Sequence, residues 1–343
     1  MTVRTVLLAG GLGTRLHPLT EELPKPMIPV LSRPWLDLLV ERLAQSGIRD
    51  ITLSLRHGKQ TVINYFQKNP PGIRLNFAVE PTPLGTGGAI RFAADGATNT
   101  ILVFNADIVQ TFDIQAFLQF HHDRQADVTI GLVQVDDPSP YGAVEMDRTG
   151  RIRRFVEKPK PGETESKFVN AGVYAFSPDA LENIPYGREV SVEKETFPSL
   201  LAAGAMLFGY LCRGYWKDIG TRDRYLELHQ DILDRRCPLP ISGNVVGPSL
   251  WQSDGVFVSP SARLTPPVLL GPGTIVEEGA HVGPWVVTGK QCRVGRGARV
   301  SDAVLWDRVQ INAGAMIRHS VLGDDMRVAG GKVENVLLAA GLR

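Results

Sequence analysis

Hydrophobic and polar positions divide this chain into two regimes. Up to about residue 235, short apolar runs alternate with segments of helical spacing, within the usual size range of one domain. The runs predict strands at Val3–Ala9, Ile51–Leu55, Ile101–Phe104, Val128–Val135 and Val169–Phe176. Between the first two, Leu36, Leu39, Val40 and Leu43 share one helical face. Ser32 stands where it can cap that helix's start, and Gly47 its end. The alternation implies an α/β fold, a Rossmann-like mostly parallel sheet with helices on both faces. Ligands of such sheets sit beyond the carboxyl ends of the strands. That rule brings the loop Gly10–Arg15 and the corner Asn105-Ala106-Asp107 into one crevice.

Residues 236–250 are rich in Pro and Gly and read as a linker. Beyond them the period changes. Val258, Leu264, Leu270, Val276, Val282, Thr288, Val294 and Val300 recur at a spacing of six, with Gly271, Gly283 and Gly295 directly after three of them. A six-residue period with turn glycines predicts a parallel β-helix, each segment one side of a coil. The phase slips after Val300, near Asp302 to Asp307, and resumes through Leu305, Ile311 and Ile317. The expected domains are therefore 1–235, a linker 236–250, and a β-helix over 251–343.

Composition narrows the class. The chain has 343 residues, 43% hydrophobic and 21% charged, the balance of a globular protein. A formal net charge of +1 gives no reason to expect a nucleic-acid partner. The apolar N-terminal segment ends at Gly10-Gly11, too short for a signal peptide. Leu200–Cys212, the longest largely apolar stretch, is too short to span a bilayer and reads as core. Cys212, Cys237 and Cys292 are widely spaced and form no metal or redox pattern. A reduced, cytoplasmic protein with no membrane partner is the expectation.

Candidate chemistry begins at Gly10-Gly11-Leu12-Gly13-Thr14-Arg15-Leu16, which follows the first strand. Bare backbone N–H groups in such a loop can approach an anion closely. Arg15 offers a planar fork and Lys25 a point charge. Glycine turns by themselves often only turn the chain. Leu16 stands where the dinucleotide fingerprint needs its third glycine, and no P-loop pattern occurs. Asp107 follows an apolar strand and Asp218 lies in Trp216-Lys217-Asp218-Ile219-Gly220. Each suits a turn or loop as well as a ligand role. Glu157 and Lys158, in Val156-Glu157-Lys158-Pro159, read as a solvated charged pair or as a site.

The run from Gly10 to Thr20, followed by Lys25-Pro26-Met27, resembles the signature of the sugar-phosphate nucleotidyltransferases. The resemblance recurs at Glu80-Pro81-Thr82-Pro83-Leu84-Gly85-Thr86-Gly87-Gly88, Asp107, Tyr141-Gly142, Glu157-Lys158-Pro159, Asn170-Ala171-Gly172 and Trp216-Lys217-Asp218-Ile219-Gly220. It implies joining of a nucleoside triphosphate to a sugar 1-phosphate with release of pyrophosphate. Arg15, Lys25, Asp107, Lys158 and Asp218 are then catalytic, with Asp107 and Asp218 together holding Mg2+. Leu8, Gly10, Gly11, Gly13, Thr14, Arg15, Glu80, Gly85 and Thr86 meet the nucleotide. Gly142, Glu157, Lys158, Asn170 and Gly172 meet the sugar phosphate. The C-terminal part resembles the left-handed hexapeptide β-helix, which implies a homo-oligomer.

Thymidylyl members place Gln where this chain has Glu80. A carboxylate only accepts hydrogen bonds. Guanine presents adjacent N1–H and N2–H donors that a carboxylate takes as a pair, so Glu80 favours GTP. Glu80, Leu84-Gly85-Thr86 and the β-helix most resemble mannose-1-phosphate guanylyltransferases. Heptose-1-phosphate guanylyltransferases share the Pro83–Ala89 loop. A glucose-1-phosphate thymidylyl- or uridylyltransferase, a non-catalytic regulatory subunit, and an acyltransferase using His281 or His319 are the alternatives.

Overall fold

The computed structural model describes residues 3–21 and 23–340. They divide into two compact units, one of residues up to 11 with 36–216, the other of 12–35 with 217 onward. The first unit holds strands β1 (Arg4–Leu8), β2 (Asp50–Leu55), β3 (Arg74–Val79), β4 (Ile101–Asn105), β5 (Val128–Gln134), β6 (Gly142–Met146), β7 (Ile152–Glu157), β8 (Phe168–Phe176) and β9 (Leu207–Leu211). Helices along the chain are α1 (Trp35–Gln45), α2 (Lys59–Lys68), α3 (Gly85–Ala93), α4 (Ile114–Asp123), α5 (Pro178–Glu182), α6 (Phe197–Ala202) and α7 (Arg222–Leu233).

The strands form one sheet in the order β7-β6-β8-β4-β1-β2-β3, with β5 pairing β8 and β9. The expected parallel part is β3-β2-β1-β4, where a helix separates each strand from the next. β8 is antiparallel to β4, β5 and β6. β5 to β8 follow one another without helices, and their pairs, β6 with β7, β6 with β8 and β5 with β8, are all antiparallel. β2 and β4 are buried almost end to end, as parallel strands covered on both faces are.

Leu36, Leu39, Val40 and Leu43 are buried on α1 as their spacing predicts. Gly47 ends that helix at φ +89°. Its N–H donates to Ala44 O at 3.1 Å, and Ile48 N–H donates to Leu43 O at 3.0 Å, a Schellman close. Ser32 does not cap the start. It lies in the turn between two short antiparallel strands, Pro29–Val30 and Arg33–Pro34, so the helix opens only at Trp35. The apolar stretch from Leu200 forms the end of α6 and β9, with Leu200, Leu207, Phe208 and Cys212 buried.

The second unit contains the β-helix. Phe257 pairs with Ile275 and Ile275 with Arg293, so a coil takes eighteen residues, three sides of six. Thr288 then pairs with Leu305 and Arg293 with Gln310, seventeen residues on, which is the expected slip. Asp302 adopts φ +46° where the residue is lost. Val276, Val282, Val294 and Val300 point into a buried apolar interior. Thr288 sits among them because its hydroxyl accepts from Gly271 N at 2.8 Å and meets Thr274 Oγ1 at 2.9 Å. Residues 244–252, partly inside the expected linker, form an antiparallel pair of strands, Asn244–Gly247 and Leu250–Gln252.

α7 belongs to the same unit and rests on the coil turns. Trp306 Nε1 donates to the Tyr225 hydroxyl at 3.2 Å, and Gln230 Nε2 donates to Asp302 Oδ1 at 2.6 Å. His319 bridges Asp302 and Asp223 at 2.5 and 3.3 Å. His281 contacts Thr265 within the coil, whereas His319 joins the coil to α7.

Candidate active site

In the first unit, candidate residues gather at the carboxyl ends of β1, β3 and β4. Leu8 pairs with Asn105, and Ala106 N donates to Leu8 O at 3.1 Å. Gly10 and Asp107 therefore leave the sheet side by side, as strand order predicts. Glu80, at the end of β3, lies over this point. A Cβ on Gly10 would come within 3.1 Å of Glu80 Oε1. Oε1 accepts from Ser54 Oγ at 2.9 Å, and Oε2 from Leu84 N at 3.4 Å. Each oxygen keeps a second lone pair for a ligand. Gly11 is exposed, with open space where its Cβ would be.

Gly85 opens α3 at φ +66°, and a Cβ there would fall 2.5 Å from Val190 O. Gly87 N donates to the same carbonyl at 2.8 Å. This loop is glycine-rich because the segment around Val190 packs backbone against backbone on it. The Thr86 hydroxyl is engaged with that segment as well, donating to Glu193 Oε2 at 2.8 Å and accepting from Val192 N at 2.9 Å.

The sugar-side candidates share the same unit. A Cβ on Gly142 would meet the Phe155 ring at 2.5 Å and Glu157 Oε2 at 2.9 Å. Burial, and then the neighbouring Glu193 charge, raises the Glu157 pKa above the usual carboxylate value, against the pull of Lys158 and Lys194. Lys158 is exposed and held at φ +51°, a conformation that costs a side-chain-bearing residue energy. Its N–H donates to Tyr141 O at 2.9 Å. Tyr141 packs edge-on against Trp216, whose Nε1 donates to Ala171 O at 3.1 Å. That contact supports Asn170 and Gly172 on either side. Gly172 lies close against Asn105, where a Cβ would be 2.9 Å from Nδ2. Among the described residues Asn105 Oδ1 is buried without a hydrogen-bond partner.

In the second unit, Gly13 takes a left-handed turn at φ +64° into the short 3-10 turn Thr14–Leu16. Thr20 Oγ1 donates to Gly13 O at 2.9 Å, and a Cβ on Gly13 would press on Lys25 at 2.9 Å. Lys25 is 6% exposed in its side chain and reaches Asp218 Oδ1 at 3.4 Å. Arg224 Nη1 donates to Asp218 Oδ2 at 2.7 Å, and Arg15 Nη2 lies 3.9 Å away. Arg15 is 62% exposed, a guanidinium at the surface beside a carboxylate. Gly220 leaves room for it, since a Cβ there would lie 2.6 Å from Nη2.

Arg224, Glu193 and Asn105 were not among the sequence candidates. Arg224 lies six residues beyond Asp218 on another element. Glu193 meets its partners only through long-range folding. Asn105 was visible only as the residue two before Asp107.

A nucleotidyl transferase family model matches residues 4–235, and a model of the GMPPB C-terminal domain matches 264–338. The chain belongs to the nucleotidyl transferase family. Among curated members, a mannose-1-phosphate guanylyltransferase of Mycobacterium tuberculosis is 38% identical over 92% of this chain and 83% of its own. A probable mannose-1-phosphate guanylyltransferase 1 of Oryza sativa is 32% identical over 95% and 92%. The crystal structure of HddC from Yersinia pseudotuberculosis complexed with GMP-PN superposes with a TM-score of 0.59 at 31% identity, covering 68% of this chain and 100% of that one.

The donor chemistry suits the divalent cation that nucleotidyl transferases use. In the second unit the Asp218 carboxylate offers hard oxygen donors, and in the first Asp107 stands two residues beyond β4. Asp218 meets Lys25 with one oxygen and Arg224 with the other.

Proposed function

We propose that this protein transfers GMP from GTP to mannose 1-phosphate and releases pyrophosphate. The observation that carries the nucleotide choice is the Glu80 carboxylate, pinned by Ser54 and Leu84 against Gly10. A fixed acceptor pair complements the adjacent N1–H and N2–H donors of guanine. Uracil and thymine present one donor between two acceptors and fit it poorly. The sugar assignment rests on the relatives named mannose-1-phosphate guanylyltransferase.

In this reading Gly10, Gly11, Gly13 and Thr14 offer backbone N–H groups to the phosphates, with Leu8, Gly85 and Thr86 shaping the base end. Arg15 and Lys25 bear on the triphosphate, Arg15 on the departing pyrophosphate. Lys158 meets the sugar phosphate, and Gly142, Glu157, Asn170 and Gly172 meet the sugar. Mg2+ held by Asp107 and Asp218 would supply positive charge to oxygens that repel one another. Retention of these charged groups speaks against a non-catalytic subunit.

The catalytic part is assigned to 1–235 and the β-helix to 251–343, joined through 236–250. Self-association through the β-helix is supported by Phe257 and Ile275, which pair on its outer face at 58% and 37% exposure. A cytoplasmic setting is supported by three buried cysteines that form no disulfide among the described residues. Among the described residues no helix is long and apolar enough to cross a membrane.

A panel of the four NTPs and dTTP against mannose, glucose and heptose 1-phosphates, read by pyrophosphate release, tests the assignment. GTP with mannose 1-phosphate is expected to give the highest kcat/KM. A different best pair would replace it.

A further inference from the structure

Residues Val192–Thr196 form a single π turn, capped by Ser191, whose Oγ accepts from Lys194 N at 3.1 Å. Such turns are rare and frequent at functional sites. This one carries Glu193, and three hydroxyls from three elements converge on its carboxylate. Thr86 of α3 donates to Oε2 at 2.8 Å and Ser191 to the same oxygen at 3.1 Å. Tyr174 of β8 donates to Oε1 at 3.4 Å. The chain continues from there. Asn170 Nδ2 donates to the Tyr174 hydroxyl at 2.8 Å, and Asn170 Oδ1 accepts from Gly172 N at 2.8 Å.

We propose that Glu193 is a positioning residue that ties the nucleotide-side helix to the sugar-side strand and sets Asn170 to donate to a sugar oxygen. The proposal rests on the sugar 1-phosphate reading above. The Tyr174 ring is buried between Phe176 and Phe197, so its hydroxyl is the one polar handle it offers. With Glu193 accepting, the hydroxyl's proton points at the carboxylate and its lone pair faces Asn170. One Asn170 amide hydrogen is then spent on Tyr174 and the second is left for substrate. A charged acceptor at the end of such a chain strengthens every bond in it. Glu193 acts in a second way, because its charge faces Glu157. The other charged groups facing Glu157 are Lys158 and Lys194.

The test uses the full-length enzyme and two variants, Glu193→Gln and Tyr174→Phe, each checked for melting temperature. Steady-state kinetics give the KM for sugar phosphate at saturating GTP. Calorimetry gives GTP affinity without sugar phosphate. The pH profile of kcat/KM for the sugar phosphate gives the acid limb. Glu193→Gln is expected to raise the sugar-phosphate KM about five- to tenfold, the size of one hydrogen bond, with GTP affinity within about twofold. It also removes a like charge beside Glu157, so the acid limb moves to lower pH. Tyr174→Phe is expected to raise the same KM and leave the limb in place. If both substrates weaken equally in Glu193→Gln, or if KM and limb stay at wild-type values, the proposal is overturned while the activity stands. If the wild-type enzyme turns over no sugar 1-phosphate, the functional reading fails and this proposal fails with it.

Discussion

The ammonium of Lys25 lies 3.4 Å from Asp218 Oδ1, deep enough that its side chain is 6% exposed. Arg224 holds the other oxygen at 2.7 Å. A carboxylate held between two fixed cations is oriented before any ligand arrives. That orientation, rather than any contact with a ligand, is what the fold contributes to the metal-binding role proposed for Asp218.

Asp218→Asn and Asp107→Asn should each reduce turnover to near background. The first should also lower the melting temperature by several degrees, since it takes a charge from a buried pair. EDTA should silence the wild-type enzyme, and added Mg2+ should restore it. Undiminished turnover in EDTA would remove the metal from the mechanism.

Arg15→Ala should lower kcat by about 10²–10³, the cost of losing one donor aimed at developing charge. Its guanidinium is exposed, so the fold should melt as wild type does. A rise in KM for GTP at unchanged kcat would make Arg15 a ground-state anchor instead.

Gly11→Ala and Gly85→Ala should separate ligand approach from packing. The first adds a methyl group in open space, the second one that would lie 2.5 Å from Val190 O at φ +66°. Gly85→Ala should destabilise the fold by about 2 kcal/mol or more, from strain and overpacking. Gly11→Ala should leave the melting temperature in place and weaken GTP binding. Equal melting temperatures for the two variants would contradict the packing role of Gly85.

Stability should fall as the medium turns acidic, starting near pH 6.5. Burial lowers His121 and His229 to about 4. His229 donates from Nδ1 to Tyr225 O at 2.8 Å and accepts at Nε2 from Leu31 N at 3.1 Å, the pattern of a neutral ring. Between pH 6.5 and 4 the unfolded chain takes up protons that the folded one refuses, so the unfolded state gains. Each ring should contribute on the order of 1–3 kcal/mol by pH 4. Melting temperatures across pH 4–8 check this, and a flat curve above pH 5 would contradict it.

Legibility in the sequence followed the range of the interactions. Leu36, Leu39, Val40 and Leu43 announced α1 because helical period is local, and Gly47 closed it for the same reason. Ser32 misled because the short pairing of Val30 with Arg33 outcompetes a cap. The six-residue period and its slip after Val300 were readable because each coil repeats the last. Glu193 and Arg224 were not, since nothing local marks a π turn at Val192 or a guanidinium folded back on Asp218. The glycines of Gly85-Thr86-Gly87-Gly88 suggested a ligand, and the close approach of Val190 shows that packing also requires them.

The central claim is tested most directly by kcat/KM for GTP, dTTP and UTP in wild type and Glu80→Gln, with mannose 1-phosphate saturating. The account predicts that wild type prefers GTP. The amide, which donates once and accepts once, should move the preference toward dTTP and UTP by about one to two decades, the effect of a mispaired polar group of about 1–3 kcal/mol. A wild-type preference for dTTP or UTP, or an unchanged ranking and ratio in Glu80→Gln, would contradict the account.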